Sequence, residues 1–258
     1  MFTIATYNVN SVRKRLPIVL AWLSTHQPDV LCLQETKVQD SEFPVGAFAG
    51  TSYHLAFRGM KGYHGVALLS RHPPEQVSFG LDDGAEADAF RLIRSKVQGI
   101  TIVNTYVPQG MAITSPKYAY KLEWFKRLRA YLERHASPRE PLIWIGDMNV
   151  APESIDVHHP EDHANHVCFH RDARAAYQAV VSWGLEDVFR RLHPKKCQYT
   201  FWDFRAPSAF QRNLGWRIDH ILATPTLAAK CAAAEVDVEP RRHPEPSDHT
   251  LLWASFHF

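Results

Sequence analysis

The stretch Leu142-Ile143-Trp144-Ile145-Gly146-Asp147-Met148-Asn149 delivers a carboxylate and a carboxamide at alternate positions after an unbroken apolar run. Such a run suits a strand buried on both faces, and Gly146 lets the backbone turn before Asp147. Two polar groups on the lip of a buried sheet point the same way, which suits gripping a metal-bound phosphate and its attacking water. A turn with Asp and Asn is equally ordinary loop chemistry, so the weight falls on what the chain places beside it. Glu35 follows the apolar Val30-Leu31-Cys32-Leu33 and Gln34; alone it reads as a surface glutamate. Asp219 interrupts an otherwise apolar strand through Ile221 and Leu222. An acid there must be paired, hydrogen-bonded or at a metal, because burying it alone is costly. Asp248 and His249 stand side by side ahead of the apolar residues 251–256.

Each group needs a strand end to hold it. Residues 3–7 read as a first strand that ends in Asn8-Val9-Asn10-Ser11, and Leu16, Val19, Leu20 and Leu23 follow at helical spacing. Residues 30–33, 66–69, 92–93 and 100–106 read as further strands. Lys61-Gly62-Tyr63-His64-Gly65 places an aromatic on a basic tip, which could lie along a phosphate backbone or close a hairpin. Ser115 and Pro116 form a helix start whose expected buried face is Leu122, Phe125, Leu128 and Leu132. Residues 172–183 predict another helix, with Ala176, Ala179 and Val180 inward and Gly184 to stop it. His158, His159, His163, His166, His170 and Cys168 match no zinc-finger spacing, and Pro152 and Pro160 argue for irregular backbone.

The 258 residues suffice for one large α/β domain. No internal repeat, low-complexity tract or dividing linker is visible, so one domain spanning 1–258 is expected. No run approaches the roughly 18 apolar residues of a membrane span, and the opening residues lack a basic leader, so a soluble cytoplasmic protein is expected. Four dispersed cysteines argue for reduced thiols rather than a disulfide framework. The net charge of +2 decides nothing, because an acidic metal site and basic patches for a nucleic-acid backbone partly cancel.

In chain order, Tyr7-Asn8-Val9-Asn10, Leu33-Gln34-Glu35-Thr36-Lys37, Tyr106-Val107-Pro108-Gln109-Gly110, Gly146-Asp147-Met148-Asn149, Gly215-Trp216-Arg217-Ile218-Asp219 and Ser247-Asp248-His249 together resemble the exonuclease III family of apurinic/apyrimidinic endonucleases. That family lies within the endonuclease, exonuclease and phosphatase superfamily. The resemblance implies a deoxyribonuclease I-like four-layer α/β sandwich, with two packed mixed β-sheets flanked by helices. It implies Mg²⁺ (or Mn²⁺) held around Glu35, with Asn8, Asn10, Asp147, Asn149, Asp248 and His249 as candidate ligands. Asn10 stands where some relatives carry an aspartate. The resemblance makes Asp147 the residue that aligns the water and the first choice to deprotonate it, ahead of His249 or an ionised Tyr106, and gives the phosphate to Asn149, His249 and Tyr106. Asp219 would fix the His249 tautomer. Phe201, Trp216 and Ile218 match a small apolar pocket for a deoxyribose that lacks its base; by composition alone they would read as core. Lys61, Tyr63, Gln109, Asn165 and Arg205 are candidate DNA contacts, Arg205 standing where relatives place an apolar wedge. The implied enzyme is a monomeric, nucleoid-associated DNA repair nuclease. It would cut duplex DNA 5′ to abasic sites and clear blocked 3′ ends by 3′-phosphodiesterase and 3′-to-5′ exonuclease action. A phosphoesterase of the same fold acting on phospholipid or RNA, and a non-catalytic DNA-damage binder, are the alternatives.

Overall fold

The structure is a computed structural model that describes residues 1–257. In chain order the principal elements are β1 (Phe2–Asn8), α1 (Val12–His26), β2 (Val30–Gln34), β3 (His54–Met60), β4 (Tyr63–Ser70), β5 (Glu75–Phe79), β6 (Leu92–Val97), β7 (Ile100–Tyr106), α2 (Pro116–His135), β8 (Leu142–Asp147), α3 (Arg171–Val181), β9 (Glu186–Asp187), β10 (Asp219–Ala223), β11 (Cys231–Asp237) and β12 (Leu251–Phe256). Two six-stranded mixed sheets result, in the orders β11-β12-β1-β2-β4-β3 and β5-β6-β7-β8-β10-β9.

Side-chain alternation explains the layers. Along β8, Ile143 and Ile145 join Ile4, Cys32, Leu68, Ile102, Ile221 and Leu252 between the sheets. Leu142 and Trp144 face the other way, onto Phe125, Leu128 and Leu132 of α2 and Tyr177 of α3. Ala5, Tyr7, Leu31 and Leu33 likewise turn outward onto Val19, Trp22 and Leu23 of α1. The unbroken apolar runs are thus strands covered on both faces, and helices close both outer sides. A buried polar link joins the sheets near one end: Gln34 donates to Asn104 at 2.7 Å, and Asn104 donates to the Leu33 and Ala67 carbonyls at 3.1 and 3.0 Å.

Several local expectations are met. Ser115 Oγ accepts from the Lys117 amide at 3.2 Å with Pro116 at the helix start, and Gly184 takes a φ of 129° just beyond α3. Others are corrected. Leu122 is only partly buried, while Lys121 on the same helix is wholly buried, because α2 packs through Tyr118, Trp124 and Tyr131 as well as its leucines. Ala179 is exposed, and α3 buries Ala173 and Tyr177 beside Val180. Gly146 does not open a turn; it lies inside β8 with a φ of 131°, and a Cβ there would sit 2.1 Å from the Thr105 carbonyl oxygen. Gly146→Ala is therefore expected to cost about 2 kcal/mol or more, read by urea unfolding, because both the backbone conformation and the space forbid a side chain.

Candidate active site

Strand register builds the floor of the site. Tyr106 of β7 lies opposite Asp147 of β8, and Asp147 lies opposite Asp219 of β10, so three chemically active side chains form a row across one sheet. On the other sheet, Asn8 ends β1 beside Gln34 of β2, and Glu35 follows at once. The Ser247 hydroxyl donates to the Asn8 carbonyl at 2.7 Å and accepts from the His249 amide at 3.2 Å, which ties the 247–249 loop to β1. Residues 200–202 cross between the sheets. Thr200 Oγ1 accepts from the Ile218 and Asp219 amides at 3.2 Å each, Phe201 and Trp216 exchange backbone hydrogen bonds, and the Trp202 amide donates to the Asp248 carbonyl at 2.9 Å.

The groups meet in a cleft of about 460 Å³ lined by Glu35, Tyr106, Asp147, Asn149, Asp248 and His249. Asn8 is wholly buried and bridges the two sheets' acids, donating from Nδ2 to Glu35 at 2.8 Å and to Asp147 at 2.9 Å. Asn10 donates to Asp248 at 3.0 Å and accepts from the Lys37 ammonium. Both carboxamides are therefore spent on protein partners. Asp147 also accepts from the Asn149 amide at 2.9 Å, while Asn149 Nδ2 donates to the Val107 carbonyl at 3.0 Å and keeps its second N–H. Asn10, Glu35, Lys37 and Asn149 all hold positive φ, between 43° and 53°. Such backbone costs on the order of 1 kcal/mol or more per residue, and its concentration at one cleft marks where geometry overrides local preference.

Electrostatics sets the protonation states. His249 Nδ1 lies 2.8 Å from Asp219 Oδ2 and Nε2 lies 3.8 Å from Asp147 Oδ2. Burial alone would push the imidazole down, but the Asp219 and Asp147 charges overrule it and raise it to about 10. His249 is thus an imidazolium at neutral pH, a donor rather than a metal ligand in that state. Asp219 Oδ1 has no hydrogen-bond partner, so the His249 contact is what offsets the burial of this acid. Burial, reinforced by Asp219 and Glu35, pushes Asp147 up against the pull of His249, a setting suited to a proton acceptor. Burial also acts to raise Glu35, yet Lys37 at 2.8 Å holds it below the usual carboxylate range. Tyr106 is raised well above an ordinary phenol by burial and by Glu35 and Asp147. It stays protonated, which removes an ionised Tyr106 as an alternative base.

Glu35, Asp147 and His249 bring ligand atoms within 4.8 Å of one another. With His249 charged, the two carboxylates remain, and hard oxygen donors fit a hard divalent ion. Phe201, Trp216 and Ile218 line the same cleft, with Gln109 and Arg205 at its wall. Phe201 packs on the His249 ring at 4.8 Å. Arg205 is turned onto its neighbour Asp203, with Nη2 to Oδ2 at 2.7 Å. Lys61, Tyr63 and Asn165 do not line the cleft; Tyr63 opens β4 of a tight hairpin and is 68% exposed. Sequence reasoning missed Lys37, His166, Cys168 and Asp203 as lining residues. Lys37 had a readable signal, a basic residue two positions from Glu35 in the loop that follows β2. His166 had none: its ring lies 4.4 Å from Trp216 through tertiary packing. Among the described residues, the convergent group in the histidine-rich segment is His159, Glu161 and Asp162, all on the surface.

A profile of the Endonuclease/Exonuclease/phosphatase family matches residues 5–249. The chain is 33% identical over 263 aligned positions to an exodeoxyribonuclease III from Haemophilus influenzae, covering 97% of this chain and 98% of that protein. Among solved structures, an AP endonuclease from Archaeoglobus fulgidus superposes with a TM-score of 0.98 at 52% identity, covering both chains completely. A 3′ phosphatase from Neisseria bound to a product DNA hairpin superposes with a TM-score of 0.95 at 37% identity, again over the whole of both chains.

Proposed function

The chain belongs to the Endonuclease/Exonuclease/phosphatase family, and from that premise we propose that it hydrolyses the phosphodiester 5′ to an abasic site in duplex DNA and trims blocked 3′ ends, using Mg²⁺. It is a phosphodiester hydrolase of the DNA-repair type, as its exodeoxyribonuclease III and AP endonuclease relatives are named. The observation that carries the finer reading is the convergence of Glu35, Asp147, Asn149, Asp219 and His249 beside Phe201, Trp216 and Ile218.

In this reading Asp147 orients the attacking water and takes its proton. Asn149 and Tyr106 offer N–H and O–H donors to the non-bridging oxygens. His249, aimed by Asp219, donates from Nε2 where negative charge grows. Glu35 and Asp147 would hold a divalent ion, which when bound would supply Lewis-acid stabilisation of that charge. The apolar triplet favours a sugar with no base, because extruding an unpaired, baseless nucleotide is the least costly flip. That the cleft is lined by residues of one chain supports a monomer as the active unit.

One observation gives weight to 3′-end processing within this reading. His166 covers the Trp216 face at 4.4 Å, which narrows the space for an extruded sugar. Mapping products from end-labelled duplexes that carry either one abasic site or a 3′-phosphate tests both arms. Mg²⁺-dependent cleavage 5′ to the lesion, abolished by EDTA, is expected; no metal-dependent product from any DNA would remove the proposal. Mg²⁺ at about 100 times its dissociation constant is expected to stabilise the fold by about 2.7 kcal/mol. That is a rise of about 5–10 °C in Tm for a chain of this size. Glu35→Gln should abolish the rise, and an undiminished rise would move the ion elsewhere.

A further inference from the structure

Lys121 is wholly buried on α2, a rare state for a lysine. Its ammonium has three N–H groups, and each finds a backbone carbonyl: Asn149 at 2.7 Å, Val167 at 2.7 Å and Gln109 at 3.2 Å. The three acceptors belong to separate loops, after β7, after β8 and ahead of α3. Each loop presents a cleft-lining side chain at or beside the bonded carbonyl: Gln109, Asn149, and His166 with Cys168. Lys121 has no salt-bridge partner among the described residues.

Other cations behind the site follow the same rule. Arg15 donates to the Asn10 and Pro246 carbonyls, Arg91 to the Tyr106 carbonyl, and Arg241 to the Ser247 carbonyl. All three are largely buried, and none has a carboxylate partner among the described residues. Elsewhere in the molecule the rule reverses: buried Arg217 is bound by Asp156 and Asp187 at 2.6 Å each. A carboxylate partner would neutralise the cation, whereas a carbonyl satisfies its hydrogen bonds and leaves the charge. Behind a cleft that holds Glu35, Asp147, Asp219 and Asp248 yet must admit an anionic phosphate, unneutralised positive charge is useful.

We infer that Lys121 is a positioning residue for the hydrolysis proposed above, on which this inference rests. Its ammonium fixes the loops of Gln109, Asn149 and the 166–168 segment relative to one another through their carbonyls. A methionine in its place has similar length but leaves three buried carbonyls without donors, and the loops must shift to reach others. The reacting groups would then be misplaced without losing any atom that touches substrate.

Steady-state hydrolysis of an end-labelled duplex by the parent, Lys121→Met and Lys121→Arg tests this, with melting curves alongside. Lys121→Met is expected to lower kcat about 100-fold, the scale of an ångström of misplacement. KM should stay within about 3-fold, since uniform binding is untouched. Lys121→Arg keeps charge and donors and should return to within about 10-fold of the parent. A folded Lys121→Met with kcat close to the parent's, or a loss carried wholly by KM, overturns the inference. If Lys121→Met does not fold, Lys121→Gln keeps two donors and is expected to lose about 10-fold in kcat; an unchanged kcat there overturns it equally. An active parent is the control that separates this result from failure of the proposed function, which would take the inference with it.

Discussion

Asp147→Asn is expected to slow the proposed metal-dependent DNA hydrolysis by about 10²–10⁴-fold, the usual range for losing a positioned proton acceptor. The substitution keeps size and shape but removes the capacity to accept a proton from water and one of the two carboxylates that would hold the ion. It also turns an amide N–H toward either Asn8 Nδ2 or the Asn149 amide, both of which now donate to the Asp147 carboxylate. Part of the loss is therefore misalignment of Asn149. Because the side chain keeps its size and place, Kd for an abasic duplex should change little, and the loss should fall on kcat. Single-turnover cleavage together with a binding titration separates the two. A variant that keeps a tenth or more of the parent rate would mean that Asp147 is not the proton acceptor.

The second large effect concerns Asp219. In the intact protein its carboxylate, with that of Asp147, holds His249 as an imidazolium to about pH 10. Asp219→Asn leaves burial to act with less opposition, and burial disfavours the charged ring. The expected result is a loss of about 10²–10³-fold at neutral pH, the cost of one donor at the developing charge. The pH profile carries the sharper readout. In the parent the alkaline limb lies near pH 10, because the imidazolium is the active form and is lost as pH rises through that value. In Asp219→Asn the limb should move toward neutrality. Stability follows the same sign. The folded-state value lies above the ordinary 6.5, so the ion pair's contribution is complete below about 6.5 and lost as pH rises through about 10. Melting temperatures measured from pH 7 to 10.5 should fall more steeply for the parent than for Asp219→Asn. Equal slopes would mean that His249 is not held charged.

Much of the architecture was legible in the chain. The run from Leu142 to Ile145 marked a strand covered on both faces, and it lies between α2 and the facing sheet. Ser115 with Pro116 marked a helix start by the hydrogen bond such a residue makes. Where the reading slipped, a neighbour decided. Leu122 gave up its buried place to a helix face built on Tyr118, Lys121 and Trp124, and Gly146 stayed inside its strand because Thr105 crowds it from β7.

What the sequence determined by itself is the set of chemical groups and the strand ends that carry them, because alternation and apolar runs are local properties of a chain. Only the tertiary structure decided what those groups are. The row of Tyr106, Asp147 and Asp219 comes from strand register, the charge on His249 comes from two acids contributed by different strands, and the buried ammonium of Lys121 comes from three loops that close over one helix. Protonation and hydrogen bonding depend on distance and burial, and residues as far apart in the chain as Asn8 and Asp147 acquire both only when the two sheets pack.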